Sequence, residues 1–429
     1  MMLATPGAYT QCSLWDRTAG LGSRAAPLRH SVECDVAIVG AGILGLSTAL
    51  HLAELGLRVC VLDARQPAWG ASGRNGGQVI PGIKHDPEAI LSKYGQDRGQ
   101  SLLRMVATAA DTVFELIERH HIDCEAVRGG WIQPAHSERA LQGVLDRARQ
   151  WMDHGAPARI LDRHEMAAAL GTDHFQGGWI DYRAGSIQPL RYTRGLQAAV
   201  GGAGVAVHGD TRATALEREG NRWIVRTAPG PTVRADHVLV ATNGYTDDLW
   251  PGLKRTVIAA NSFIVATPPL DDRIGGRILP SGAVASDSRR LLLYFRRDAE
   301  GRFILGGRGR FADPTSERDW DHLVRGARLL YPQLKSQEFP YRWAGRIALT
   351  RDFAPHVHQP APNLRIMLGC NGRGVALATQ MGRYLARDIA AGEPVPFPIA
   401  PIRPIPLHGL KRLYIGLGVA YYGLRDRTF

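Results

Sequence analysis

Apolar positions change their period along the chain, and the changes mark out the elements. The short run Cys34-Asp-Val-Ala-Ile-Val39 predicts a buried strand. From Ile43 to Leu55 apolar residues recur at 43, 46, 49, 50 and 53, the spacing of one helix face, and Gly56 supplies a stop. Arg58-Val-Cys-Val-Leu-Asp63 predicts a second strand, completing a β-α-β unit. Apolar positions at 102, 103, 106, 113, 114, 116 and 117 predict one long helix over 99–121. A strand over Gly129–Pro134, helical stretches to about 170 and a helix over Pro189–Val200, with proline in its first turn, follow. Strands near 204–208, 212–217, 222–227 and 233–241 suggest a small antiparallel insertion that returns to the main sheet. Residues 255–310 are strand-rich, with 289–296 prominent, and the apolar strand Leu364–Leu368 runs through a glycine-rich turn into a helix over Val375–Ala390.

The two ends differ from this pattern. Residues 1–33 lack periodicity and are expected to form an extended arm. The last thirty residues are proline-rich and then apolar-aromatic, and Leu410, Leu413, Tyr414, Leu417 and Tyr421 fit an amphipathic helix expected to pack on the protein rather than on a membrane. No internal repeat or low-complexity tract interrupts the chain.

Composition narrows the class. Of 429 residues, 45% are hydrophobic and 21% charged, an ordinary globular balance. The first thirty residues lack a signal-peptide core, and no run of about eighteen apolar residues occurs, so the expectation is a cytoplasmic protein without stable membrane insertion. Cysteines at 12, 34, 60, 124 and 370 form no C-x-x-C and suit free thiols. The net charge of +12 comes from arginine, since lysine occurs only at 84, 93, 254, 335 and 411. These arginines form no basic block, which favours a solvated basic surface over a nucleic-acid platform. His356 and His358 are too few to hold a metal, and none is expected.

The chemistry is carried by turns. Gly40-Ala-Gly42-Ile-Leu-Gly45 lies between strand and helix, with Asp63 ending the next strand, the arrangement that places a pyrophosphate on a helix N-terminus. Gly40 allows the tight turn, Gly42 the approach of the ligand, and Gly45 the packing of helix on strand; Asp63 suits ribose hydroxyls. The unit alone does not separate NAD from FAD. Gly70-Ala-Ser-Gly-Arg-Asn-Gly-Gly-Gln78 can lie along an extended ligand, with Ser72, Arg74 and Asn75 offering polar contacts to phosphate and flavin edge. Gly369-Cys-Asn-Gly-Arg-Gly-Val375 again joins strand to helix, where Arg373 would favour negative charge at a flavin edge. Ala235–Gly244 delivers a further close turn.

Together with Gly185-Ser-Ile-Gln-Pro189, Trp343-Ala-Gly-x-x-Ala-x-Thr-x-Asp352, Pro355-His356 and Tyr421-Tyr-Gly-Leu-Arg-Asp426, these segments resemble the FAD-dependent family of D-amino-acid, glycine and sarcosine oxidases, and within it the gamma-glutamylputrescine oxidase branch. The resemblance spans roughly 13–427. It implies an α/β (α+β) fold, a Rossmann-like FAD-binding domain with an interleaved substrate-binding lobe that contains an antiparallel sheet. The FAD-binding parts would be 34–83, 187–249 and 342–396 and the lobe 84–186 and 250–341, with 1–33 an arm and 397–429 a tail. It implies pyrophosphate contacts at Gly40, Gly42, Ile43, Leu44 and Gly45, and ribose at Asp63 with Ala64 and Arg65 beside it. Flavin would run along Ala71, Ser72, Arg74, Asn75, Gly76, Gly77 and Gln78. The adenine side would lie near Ala213, and further cofactor contacts at Ala241, Thr242 and Asn243. The pyrimidine edge would lie over Gly372, Arg373, Gly374 and Val375.

Three departures refine this. Where some sarcosine-type members attach FAD through a cysteine, this chain has Ala344-Gly-Arg346, which implies noncovalent FAD. Their carboxylate-binding lysine is replaced by Ala376, which favours an amine whose carboxylate lies farther from the reacting carbon. The lysine that promotes reaction with oxygen aligns with Ile304, which leaves oxygen, a quinone or a carrier protein open as acceptor. The expected activity is oxidation of a small amine by hydride transfer to flavin N5, the imine then hydrolysing. Tyr294, Arg296 and Arg346 are the candidate pocket residues, each with a packing or ion-pair reading beside it. A tRNA-modifying flavoprotein and a plain NAD-dependent dehydrogenase stand as alternatives.

Overall fold

The computed structural model describes residues 13–228 and 230–425, with side chains as far as Gly418; Cys12 and the side chain of Tyr421 lie outside the described residues. Two eight-stranded sheets organise the chain. The first runs His356–His358, Leu364–Leu368, Thr232–Val240, Val32–Val39, Val59–Leu62, Ala206–His208. Its inner strands are parallel, and the run Val36–Val39 and all of Val59–Leu62 are buried, as expected where both faces of a parallel sheet are covered. The hairpin Arg212–Glu219/Arg222–Ala228 extends the sheet antiparallel through Thr232–Val240. The segment near 204–208 is thus a parallel edge strand of the main sheet, and the insertion consists of the hairpin alone.

Three helices meet over this sheet, Ile43–Glu54, Pro189–Gly202 and Gly374–Ala391. Ser47 Oγ donates to Thr379 O at 2.7 Å, and Tyr192 and Thr379 share a hydroxyl hydrogen bond of 3.0 Å. A Cβ at Gly382 would collide with the Ser47 side chain and backbone, so glycine sets that helix spacing.

The second sheet runs Tyr341–Leu349, Ile258–Pro269, Arg302–Arg308, Tyr294–Arg297, Val284–Ser286, Trp131–Pro134, Gly178–Asp181, Ala158–Leu161. It is antiparallel except where Val284–Ser286 joins Trp131–Pro134. Phe263, Phe295, Phe303, Trp320 and Tyr331 fill its core, with Phe263 stacked on Trp320 at 4.8 Å. Tyr341–Leu349 belongs to this sheet, although 342–349 was expected with the nucleotide-binding part.

Other expectations change for identifiable reasons. The single helix over 99–121 is two, Gln96–Ala107 and Ala109–Arg119. At the break Thr108 Oγ1 bonds Arg104 O, while Gln380 donates to Met105 O and to Thr108 Oγ1. A neighbouring helix thus takes up the polar groups that the break releases. Strand structure near 289–296 is confined to Tyr294–Arg297, because buried Asp287 accepts from Arg289 N and Leu293 N and closes the residues between into a loop. The N-terminal arm is not wholly extended. Ser13 and Asp16 form a capping box on a short helix, Leu14–Thr18, whose Leu14 and Trp15 are buried.

Candidate functional site

The glycine-rich turns converge on one cavity of about 1640 Å³, larger than the ordinary ~300–1,000 Å³ ligand pocket. Gly42, Ile43, Leu44, Ala71, Ser72, Arg74, Asn75, Gly76, Gln78, Ala241, Asn243, Gly372, Arg373, Gly374 and Val375 line it, with Tyr294 and Arg346. Two helices, Ile43–Glu54 and Gly374–Ala391, begin at its wall, and neither N-cap residue, Gly42 or Arg373, caps its helix with a side chain. Their first turns carry amide donors without intrahelical partners and the positive ends of two dipoles.

The first turn requires glycine. Gly40 has φ +113°, and a Cβ there would lie 2.9 Å from Ala241 O. A Cβ on Gly45 would collide with Gly40 O, and one on Gly42 would lie 2.7 Å from Ser72 Oγ, which accepts from Ile43 N at 3.0 Å. Asp63, behind this turn, accepts from Ala41 N and Arg65 N, each at 2.8 Å; burial raises its carboxyl to about 6 against those hydrogen bonds. The Arg65 guanidinium sits 5.7 Å from the Trp69 ring centroid, and its Nε is buried without a hydrogen-bond partner among the described residues.

Several expected contact residues serve the walls instead. The Asn75 side chain donates to Ala71 O and Ser72 O and accepts from Gly77 N, so it closes its own loop. Gln78 donates to Ala285 O and Phe295 O, tethering that loop to the second sheet. Arg296 does not face the cavity. It is 3% exposed, lies over Trp15, and donates to Gly76 O, Ile187 O and Arg297 O, which makes it a clamp on the loop rather than a substrate contact. Gly40, Gly45, Asp63, Ala64, Arg65, Gly77, Ala213 and Thr242 also lie off the lining: Ala213 is buried in the hairpin, and Thr242 Oγ1 bonds Thr246 Oγ1. Arg346 lines the cavity but pairs with Asp313 at 2.9 Å. The Tyr294 ring lies between two glycines, since a Cβ on Gly76 would come 2.6 Å from its Cε2 and one on Gly306 would overlap the ring; its hydroxyl bonds Ser262 Oγ at 2.9 Å.

Beyond these, the structure adds a cationic, tryptophan-rich wall. Trp131, Trp151 and Trp179 line it with Lys84, Arg147 and Arg373. Arg373 donates to Pro81 O at 2.7 Å and lies 4.7 Å over the Trp131 ring. Lys84 opens into the cavity and makes no hydrogen bond or ion pair among the described residues; enclosure by protein, with Arg373 and Arg147 nearby, pushes its ammonium down to about 8. Arg308, also lining the cavity, has no side-chain partner among them either, and burial lowers its pKa. The lining carboxylates are all engaged: Asp86 with Arg147, Asp181 with Arg183 at 2.6 Å, Asp287 with Arg289. The uncompensated charge of the cavity is therefore positive. Lysine is scarce in the chain, but nothing in the sequence separates Lys84 from the other four. Cys370 lines the cavity, but burial pushes its thiol up to about 12, so it stays protonated and unreactive. Among the described residues no three His, Cys, Asp or Glu side chains gather as a metal site.

A family model described as FAD dependent oxidoreductase matches residues 35–387. The chain belongs to this family. FAD is its cofactor, and the cavity fits it: Gly42, where a Cβ would crowd Ser72 Oγ, and the first turns of two helices line it and offer backbone amides to a dianionic dinucleotide. Similar curated proteins include gamma-glutamylputrescine oxidoreductase of Escherichia coli, 32% identical over 93% of this chain and 94% of that one. A probable oxidoreductase of Haemophilus influenzae is 30% identical over 94% of both. Among solved structures, glycine oxidase from Geobacillus kaustophilus superposes with TM-score 0.71 at 20% identity, covering 87% of this chain and 99% of its own. L-proline dehydrogenase from P. horikoshii gives 0.71 at 18% identity, covering 86% and 95%. At these identities the superpositions speak for the shared flavoprotein fold.

Proposed function

We propose that this FAD-dependent oxidoreductase oxidises the C–N bond of a small amine that also carries a carboxylate, gamma-glutamylputrescine or a related amino compound. The observation that carries the reading is the cavity itself, in which the cofactor-binding turns share one space with an aromatic wall and uncompensated cations. Its likeness to gamma-glutamylputrescine oxidoreductase supports the substrate class. Bound noncovalently, FAD supplies the two-electron sink, accepting hydride at N5. Gly40, Gly42 and Gly45 with the start of Ile43–Glu54 would hold the pyrophosphate, and Asp63 and Arg65 the adenosine end. The loop 71–78, braced by Trp15, Arg296 and Gln78, and the 372–375 turn would hold the flavin.

The chain's own groups then act on the substrate. Lys84, Arg308 and Arg373 attract a carboxylate, and the same positive field disfavours an ammonium, so the amine enters neutral and able to release hydride from its α-carbon. Trp131, Trp151 and Trp179 exclude water from the aliphatic stem. The product imine hydrolyses to a carbonyl compound. Anaerobic mixing with γ-glutamylated amines, amino acids and free polyamines tests this: the 450-nm region of the flavin spectrum bleaches with carboxylate-bearing amines and only weakly with putrescine or spermidine. Bleaching by polyamines alone rejects the carboxylate subsite, and bleaching by none of them rejects amine oxidation. Peroxide formed during aerobic turnover separates oxygen from a quinone or carrier as acceptor.

A further inference from the structure

The C-terminal segment has two faces with different surroundings. Ile405, Pro406, Leu407, Tyr414, Ile415 and Gly418 line one side of the cavity. Leu407, Leu410, Leu413 and Leu417 are 71, 55, 65 and 65% exposed. Within the helix Lys411–Arg425, Leu413 and Leu417 are four residues apart and share one face, and at about 100° per residue Ile415 and Gly418 fall toward the opposite one. Ile405 N donates to Arg255 O at 2.8 Å, and His408 Nε2 bonds Val257 O at 3.0 Å, so the segment is tied to the body while the leucines stand proud of it.

Cations surround these leucines. Lys254, Arg255, Arg403 and Arg412 are exposed and Lys411 is half-buried, and from Phe397 to Arg425 the chain has no aspartate or glutamate. A second copy of the chain would bring two such cationic rims together and be repelled. An anionic bilayer takes the leucines into its interfacial region and neutralises the rim. No helix among the described residues is long and apolar enough to cross a membrane, which fits an element lying in the interface plane. We propose that the C-terminal helix and the loop before it seat on an anionic lipid bilayer, turning the side of the cavity that they line toward the membrane. This holds whichever amine is oxidised.

Full-length, FAD-loaded protein is sedimented with phosphatidylglycerol/phosphatidylcholine vesicles and with pure phosphatidylcholine vesicles. The expected result is pelleting with the first and not the second, reduced about tenfold at about 0.5 M salt. The variants L413S/L417S and K254E/R412E keep their flavin absorbance and substrate bleaching and remain in the supernatant. The proposal is overturned if the unmodified protein stays in the supernatant with anionic vesicles, or if both variants pellet as it does. It is equally overturned if light scattering shows a dimer that L413S/L417S dissociates, which would assign the leucines to a second copy.

Discussion

At the scale of single residues, the first glycine turn leaves no room for adjustment. A methyl group at position 45 would collide with a backbone carbonyl, which can move only by reshaping the turn. Gly45→Ala is expected to lower the flavin-to-protein absorbance ratio of the purified protein at least fivefold; a fully loaded, active variant would contradict the geometry. Lys84 makes a different prediction. Its ammonium, depressed to about 8, is charged below that pH and neutral above it, so a carboxylate is held best on the acid side. KM for a carboxylate-bearing amine should rise as pH passes about 8, and Lys84→Met should raise KM by roughly one to two orders of magnitude at pH 7, the ~1.5–3 kcal/mol of a charged hydrogen bond, while largely sparing kcat and removing that pH step. A profile unchanged by the substitution would remove Lys84 from substrate binding. The glycines were legible in the sequence because their spacing states their geometry. Lys84 and Arg308 were not, since no local pattern shows that a cation lacks a partner. Arg296 was placed correctly on its strand and misread in role, because strand alternation does not reveal that three carbonyls lie within its reach.

At the scale of elements, the brace on the 71–78 loop comes from outside the nucleotide unit. Trp15 donates from Nε1 to Asn75 O at 2.8 Å, packs edge-on against Trp343 at 5.6 Å, and is fully buried. Trp15→Ala removes a large core side chain as well as that donor, a change worth about 3–5 kcal/mol. It should lower the thermal midpoint by at least several degrees and speed flavin release; an unchanged melt would show that the arm is dispensable. The elements read best from sequence were those with a strong period of their own, the strands at 34–39 and 59–62 and the helices after Gly42 and Arg373. The arm was misread because one buried tryptophan in a short helix leaves no periodic trace. The helix over 99–121 was misread because the break at Thr108 is satisfied by Gln380, more than 250 residues away in sequence, so the apolar pattern continues across it.

For the whole molecule, the turns that form the cavity come from segments far apart in the chain, so a cofactor held by them would link regions that sequence order separates. Added FAD should therefore raise the melting temperature of cofactor-stripped protein in proportion to the logarithm of its concentration, about 2.7 kcal/mol of added stability at a hundredfold excess over Kd; differential scanning fluorimetry reads this directly, and no shift would show that the folded chain does not take up FAD. The parallel sheet could be anticipated from its β-α-β opening. The second sheet was expected only through the family resemblance, as an antiparallel sheet in a lobe from 84–186 and 250–341; its strands from 258–349 join a block from 131–181, and pairing between such distant segments is set by tertiary packing rather than by any local period.

The Tyr294 ring, held between Gly76 and its cross-strand partner Gly306, ties the distant 71–78 loop and one strand pair of the second sheet into a single steric unit. A side chain at either glycine becomes tolerable only once the aromatic ring has been trimmed. Substitutions at 76, 294 and 306 should accordingly arise as a set during divergence. A laboratory search for altered selectivity that varies the tyrosine alone would leave most of the reachable shapes at this corner unexplored.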